Sequence, residues 1–106
     1  MIIYNVTINI DYDVHDDWLI WMKEEHIPEV MATGRFIENR MSRVLAEEEG
    51  GVTYAIQYLA TDMESYHRYI HEDAPKLQAE HSSRYEDKFV AFRTILEVVH
   101  QANGHS

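Results

Sequence analysis

The first eleven residues alternate in character. Ile2, Tyr4, Val6, Ile8 and Ile10 share one side; Asn5, Thr7, Asn9 and Asp11 share the other. Period two with β-branched residues predicts a strand. From Trp18 to Phe36 the period lengthens. At ~100° per residue, Trp18, Leu19, Met22, His26 and Val30 fall within an arc of ~120°, with Ile20 and Ile27 at its margin and Asp17, Glu24 and Glu25 opposite. This is an amphipathic helix with a histidine in its buried stripe. Asp11 or Asp13 can cap it. Pro28 removes a backbone donor and crowds the preceding turn, which predicts a kink or loosening over residues 24–27. Gly34 is placed to stop the helix. Trp21 falls on the acidic side, where an exposed indole would mark a partner surface or a pocket rim. The plainer alternative is a ring lying flat on its own helix.

Residues 36–46 predict a second strand with looser alternation. Glu47, Glu48, Glu49, Gly50 and Gly51 form an acidic turn, whose glycines supply the positive φ of a hairpin. Residues 52–60 predict a third strand, with Val52, Tyr54, Ile56 and Tyr58 on one face. Thr61 to Glu64 has the form of a capping box. The helix after it places Met63, Tyr66, Ile70, Leu77 and His81 on one stripe. Asp73 as a fresh cap with Pro75 behind it predicts two helical pieces. Residues 88–100 predict the last strand, and residues 101–106 a frayed tail.

The order β-α-β-β-α-β is the α+β, ferredoxin-like arrangement: a four-stranded antiparallel sheet with two helices on one face. If the more apolar row of each strand meets the helices, the open face carries Asn5, Thr7, Asn9, Thr53, Gln57, Arg93 and Glu97. Ile3, Ala55, Leu59, Phe89 and Ile95 are mixed among them. Such a mixture suits an assembly surface, so a homodimer is expected.

Composition narrows the function classes. The 106 residues are expected to form one domain, 1–106, and the net charge is −10. No basic cluster offsets that field, which argues against nucleic acid and anionic membranes as partners. Without cysteine there is no disulfide, thiolate metal site or cysteine nucleophile. No apolar run reaches the ~20 residues of a membrane span, and the N-terminus has no signal-peptide form. A cytoplasmic location is expected. Asn5-Val6-Thr7 matches a glycosylation sequon inside the first strand and is taken as chance.

The segments WLIWMKEEHIPEVMATGRF, GGVTYAIQY and APKLQAEHSSRYEDKFVAFRTILEVV resemble an uncharacterised family of short bacterial proteins, a domain of unknown function, over nearly the whole chain. The resemblance implies a dimeric α+β barrel, in which two ferredoxin-like sheets pack face to face. It also implies a distant relationship to antibiotic-biosynthesis monooxygenases, haem-degrading monooxygenases, muconolactone isomerases and ligand-sensing domains. Fold membership of this kind does not give function.

Histidine is the over-supplied chemical type, with seven in the chain. His26 and His81 lie on the apolar stripes of two helices that cover the same sheet face. They are expected to converge on a cavity bounded by Tyr4, Tyr54 and Tyr58, with Trp18 beside them. Imidazoles there can act as acid-base groups, metal ligands or hydrogen-bond anchors. The structural alternative is two core histidines satisfied by a carbonyl or a tyrosine. His67 and His71 have the i, i+4 spacing of a helical metal pair but lack a third ligand. Glu64-x-x-His67 is only half of a di-iron motif. Haem-degrading relatives pair a first-strand asparagine with a second-helix histidine. Asn5 or Asn9 with His81 imitates that pair, but strand alternation turns both asparagines away from the helices. Arg40, Arg43, Arg93 and Glu97 are expected to find partners within a sheet-sheet interface, and an arginine binding an anion inside the barrel is the minor alternative.

The expected protein is therefore a homodimer with no cofactor and no metal. It binds a small, partly apolar, ring-containing molecule between helices and sheet through His26, His81, Trp18, Tyr54 and Tyr58. The alternatives are a cofactor-independent monooxygenase or isomerase with a histidine base, and an interaction module anchored on Trp21.

Overall fold

The computed structural model describes residues 1–46 and 50–104. Its elements follow the expected order. β1 (Ile2–Asp11) leads into α1 (His15–Trp21) and α2 (Ile27–Ala32), then β2 (Glu38–Arg43) and β3 (Gly51–Ala60). After these come α3 (Met63–Arg68), α4 (Ala74–Arg84) and β4 (Phe89–Glu97). The four strands form one antiparallel sheet in the order β2-β3-β1-β4. With both helical arms on one face, this is the α+β ferredoxin-like fold.

Each arm is interrupted by a π turn, Met22–His26 between α1 and α2 and Tyr69–Asp73 between α3 and α4. Both end two residues before a proline, Pro28 and Pro75. A proline has no N–H and its ring presses on the carbonyl four residues back, so the helix widens there by one residue. In the first arm this is the loosening expected ahead of Pro28. In the second it separates the two expected helical pieces, α3 and α4, with Asp73 at the N-cap position of α4 and Pro75 in its first turn. Asp73 makes no cap bond; its carboxylate instead accepts from Arg35 Nε at 3.0 Å, while Glu72 accepts from Arg35 Nη2 at 2.5 Å. The extra residue also shifts the buried stripe. Met63 is 41% exposed, whereas Tyr69 and Ala74 join Leu77 and His81 inside.

The caps differ in detail from the sequence reading. Asp62, rather than Thr61, caps α3 by accepting from Ser65 N at 2.8 Å. Asp11 accepts from Asp13 N in the short turn ahead of α1. Gly34 takes φ +76° just past α2, as a helix stop requires. Of the predicted acidic turn, residues 47–49 lie outside the described residues. Gly50 has the expected positive φ of +84°. Gly51 does not; a Cβ there would sit 2.5 Å from the carbonyl oxygen of Ile10, so its role is to let two strands approach.

Two expectations about side-chain placement are corrected. Trp21 is buried, with 9% of its surface exposed. Its ring stacks on His26 across the π turn at 4.9 Å, meets Tyr85 edge-on at 5.6 Å, and lies under the Arg84 guanidinium at 5.3 Å. A helical wheel drawn at constant pitch cannot show this, because the second arm and Tyr85 close over the supposed outer face.

The second correction concerns β4. Direct partners in an antiparallel pair share a face. Tyr4 pairs with Ile95, Val6 with Arg93, Ile8 with Ala91 and Ile10 with Phe89, so these four β4 residues face the helices. The more apolar row faces the open side, where Val90 is 73%, Phe92 62% and Leu96 39% exposed. The row's hydrophobicity reports a surface the helices do not cover.

Candidate functional site

A cavity of about 50 Å³ lies between the two arms and the helix side of the sheet. Trp18, Ile10 and Val30 are fully buried and hold the arms on the sheet; burying each such side chain stabilises by roughly 1.5–3 kcal/mol. Over the cavity, His26 occupies the last position of the first π turn and His81 lies on α4. Their rings meet edge to face at 5.7 Å. Tyr58 and Tyr4 close the cavity from the sheet, and Tyr69 from the second arm.

The hydrogen bonds define the state of the histidines. Trp18 donates its indole N–H to His81 Nε2 at 2.9 Å. Burial, with smaller contributions from His26 and Arg93, brings the His81 pKa down to about 4. Burial likewise brings His26 down to about 4, with Glu80 opposing. Both rings are therefore uncharged at neutral pH. Since the Nε2 of His81 accepts, its proton sits on Nδ1. His26 differs: its Nδ1 is buried and has no hydrogen-bond partner. Orphaned buried polar atoms are rare in folded proteins.

Tyr4 stands at the centre of the site. Its ring contacts those of Phe36, Tyr58, Tyr66 and Tyr69 at 6.1, 6.0, 5.6 and 5.7 Å. Its hydroxyl oxygen accepts from Arg93 Nε at 2.9 Å and faces Gln78 Nε2 at 3.5 Å. Burial pushes the Tyr58 and Tyr69 hydroxyls well above their ordinary pKa, so both remain protonated.

The structure brings together His26, His81 and Tyr58, with Tyr4. Trp18 lies behind His81 rather than on the cavity wall. Tyr54 packs on Trp18 at 5.2 Å and bonds His15 Nε2 through its hydroxyl at 2.7 Å. Sequence reasoning missed Gln78 and put Arg93 on the opposite face. The only available signal for Arg93 was the register of β4, which both of its half-apolar rows obscured. The cavity is also smaller than expected. It takes a few waters or a small polar group, but a benzene ring needs ~150 Å³.

Other candidates separate from the site. His67 and His71 lie 6.4 Å apart on an exposed flank. Among the described residues no group of three or more His, Cys, Asp or Glu could hold a metal. Asn5 and Asn9 point to the open face, where they donate to Thr7 and Thr53, so neither meets His81. No helix among the described residues is long and apolar enough to cross a membrane.

A family model described as a domain of unknown function, DUF4286, matches residues 1–99. The chain belongs to DUF4286. No curated protein matches it in sequence. In fold, this DUF4286 protein is similar to HapK from Hahella chejuensis, with a TM-score of 0.74 at 11% identity over 100% of both chains. A dimeric ferredoxin-like protein from an uncultured marine organism gives a TM-score of 0.71 at 13% identity, over 95% of this chain and 97% of that one. A Deinococcus radiodurans protein named for the antibiotic biosynthesis monooxygenases gives 0.68 at 11% identity over 100% of both. At these identities the DUF4286 chain shares their fold.

Proposed function

We propose that this chain is a one-domain, cytoplasmic homodimer that binds a small molecule in the cavity under His26 and His81. The observation that carries the reading is the unpartnered Nδ1 of His26 beside an open cavity. A histidine kept only for packing would have its buried nitrogen satisfied by the protein. Dimerisation is supported by the exposed Val90, Phe92 and Leu96 row on the open sheet face and by the dimeric fold neighbour. A row of that kind is disfavoured on a monomer's surface and suits a sheet-on-sheet contact.

The test uses the two indole N–H resonances of Trp18 and Trp21, which border the histidines. A library of molecules below about ten heavy atoms is titrated into the ¹⁵N-labelled protein. Binding in the cavity shifts both indole peaks; a library that moves neither overturns the proposal.

A second reading is catalytic. An uncharged imidazole with a free nitrogen at a cavity can take a proton from a bound substrate, and one fold neighbour is named as a monooxygenase. Turnover of a bound library member that His26→Gln abolishes, without loss of binding, would establish it. The interaction-module alternative loses its anchor, because Trp21 is buried.

A further inference from the structure

The chain carries 19 acidic against 9 basic residues, yet among the described residues no Asp or Glu lines the cavity. Among the described residues its one cation is Arg93, exposed at the mouth. The ion pairs among the described residues engage His15, Arg35, Arg68, Arg84 and Lys88; Arg93 is in none of them. Lys23, Arg40 and Lys76 are in none of them either, but these three stand on the exposed surface away from the cavity, whereas Arg93 is part of its lining. Its guanidinium is held in place by donating Nε to Tyr4, which leaves the remaining N–H groups of its fork free. Tyr4 already accepts from Arg93, so its own hydroxyl proton is left to donate. His81 carries its proton on Nδ1 because Trp18 occupies Nε2. Arg93, Tyr4 and His81 thus each keep an N–H or O–H to donate, and the charge among the lining residues is positive.

We infer that the cavity takes the carboxylate of a small organic acid, with the free fork of Arg93 and the Tyr4 hydroxyl as its donors. This rests on the small-molecule reading given above and names the ligand class for that site. A guanidinium fork matches a carboxylate in geometry as well as charge. The volume agrees: about 50 Å³ admits a carboxylate with a short chain, while the body of a larger acid extends through the mouth. Because His26 and His81 are uncharged at neutral pH, the attraction comes from Arg93 alone.

The experiment compares butyrate with butyramide, an isostere that lacks the charge. Each is titrated into the ¹⁵N-labelled full chain at pH 7, with the Trp18 and Trp21 indole peaks as readout. The expected result is that butyrate shifts both peaks and binds about tenfold or more tighter than butyramide. In Arg93→Gln that preference disappears, and in Arg93→Lys, which keeps the charge, part of it survives. The backbone spectrum of each variant reports that it is folded. If butyramide binds as well as butyrate and Arg93→Gln changes neither, the carboxylate assignment is wrong while the small-molecule site stands. If neither compound moves either peak up to 50 mM (about the weakest affinity expected for so few atoms), the carboxylate assignment again fails. The library titration then decides separately whether the site binds anything.

Discussion

Trp18 and His81 join the two helical arms through one buried hydrogen bond, indole N–H to imidazole Nε2 at 2.9 Å. Removing the donor leaves a buried acceptor without a partner. Trp18→Phe is therefore expected to destabilise the protein by ~1–3 kcal/mol beyond its loss of packing. It should also release the tautomer of His81. Urea denaturation measures the first effect and imidazole ¹⁵N shifts the second. A His81 that keeps its proton on Nδ1 in the variant would show that Trp18 does not set it.

The two histidines should respond differently to truncation. His81→Ala strands the Trp18 N–H and is expected to cost ~1–3 kcal/mol. His26→Ala removes a ring stacked on Trp21 but strands nothing, because its Nδ1 has no partner. A smaller loss is expected for His26→Ala in the same denaturation measurement. Equal losses would mean that His26 is a packing residue like its neighbour.

Acid should weaken the fold earlier than carboxylate titration alone predicts. Both folded-state histidine pKa values lie at about 4, below the ordinary 6.5. Between those values the unfolded chain binds more protons than the folded one, so stability is lost as pH falls. Each histidine contributes a slope of at most about 1.4 kcal/mol per pH unit. Glu80 moderates the effect at His26, while His26 and Arg93 reinforce it at His81. Thermal melts should be level above pH 7 and decline from about pH 6. The decline should shrink in a His26→Gln, His81→Gln double variant.

The open sheet face predicts an assembly and the residue that controls it. Thr7 pairs with Phe92 at the middle of the β1–β4 ladder, and Phe92 is 62% exposed. Light scattering should give about twice the 12.5 kDa chain mass. Phe92→Glu should return the single-chain mass, since a buried unpaired charge costs several kcal/mol. A wild-type chain of single mass would remove the proposal.

Much of this architecture was legible in the chain because its strongest patterns are local. The alternation of Ile2 to Ile10 and the tyrosine row of β3 gave their strands and inward faces directly. His26 and His81 could be placed together because each sits on a helical stripe and the crossover rule puts both helices on one face. What stayed hidden depends on neighbours distant in sequence. Trp21 is covered by Tyr85 and Arg84, which no local period reveals. Arg93 lies in a strand whose two rows are both partly apolar, so only its register against β1 decides which way it points. The Trp18–His81 bond spans 63 positions, and nothing in either segment announces it.

The paired π turns have a consequence for comparing this chain with its relatives. Each is one residue longer than the α-helical turn it replaces, so in an alignment it behaves as a single-residue insertion. A relative with straight helices should show a gap within 22–26 and another within 69–73, and should lack Pro28 and Pro75. Shifting a helix by one residue rotates everything beyond it by ~100°. An alignment that omitted those gaps would match the wrong residues to His26 and His81, and would score the site as absent where it is present.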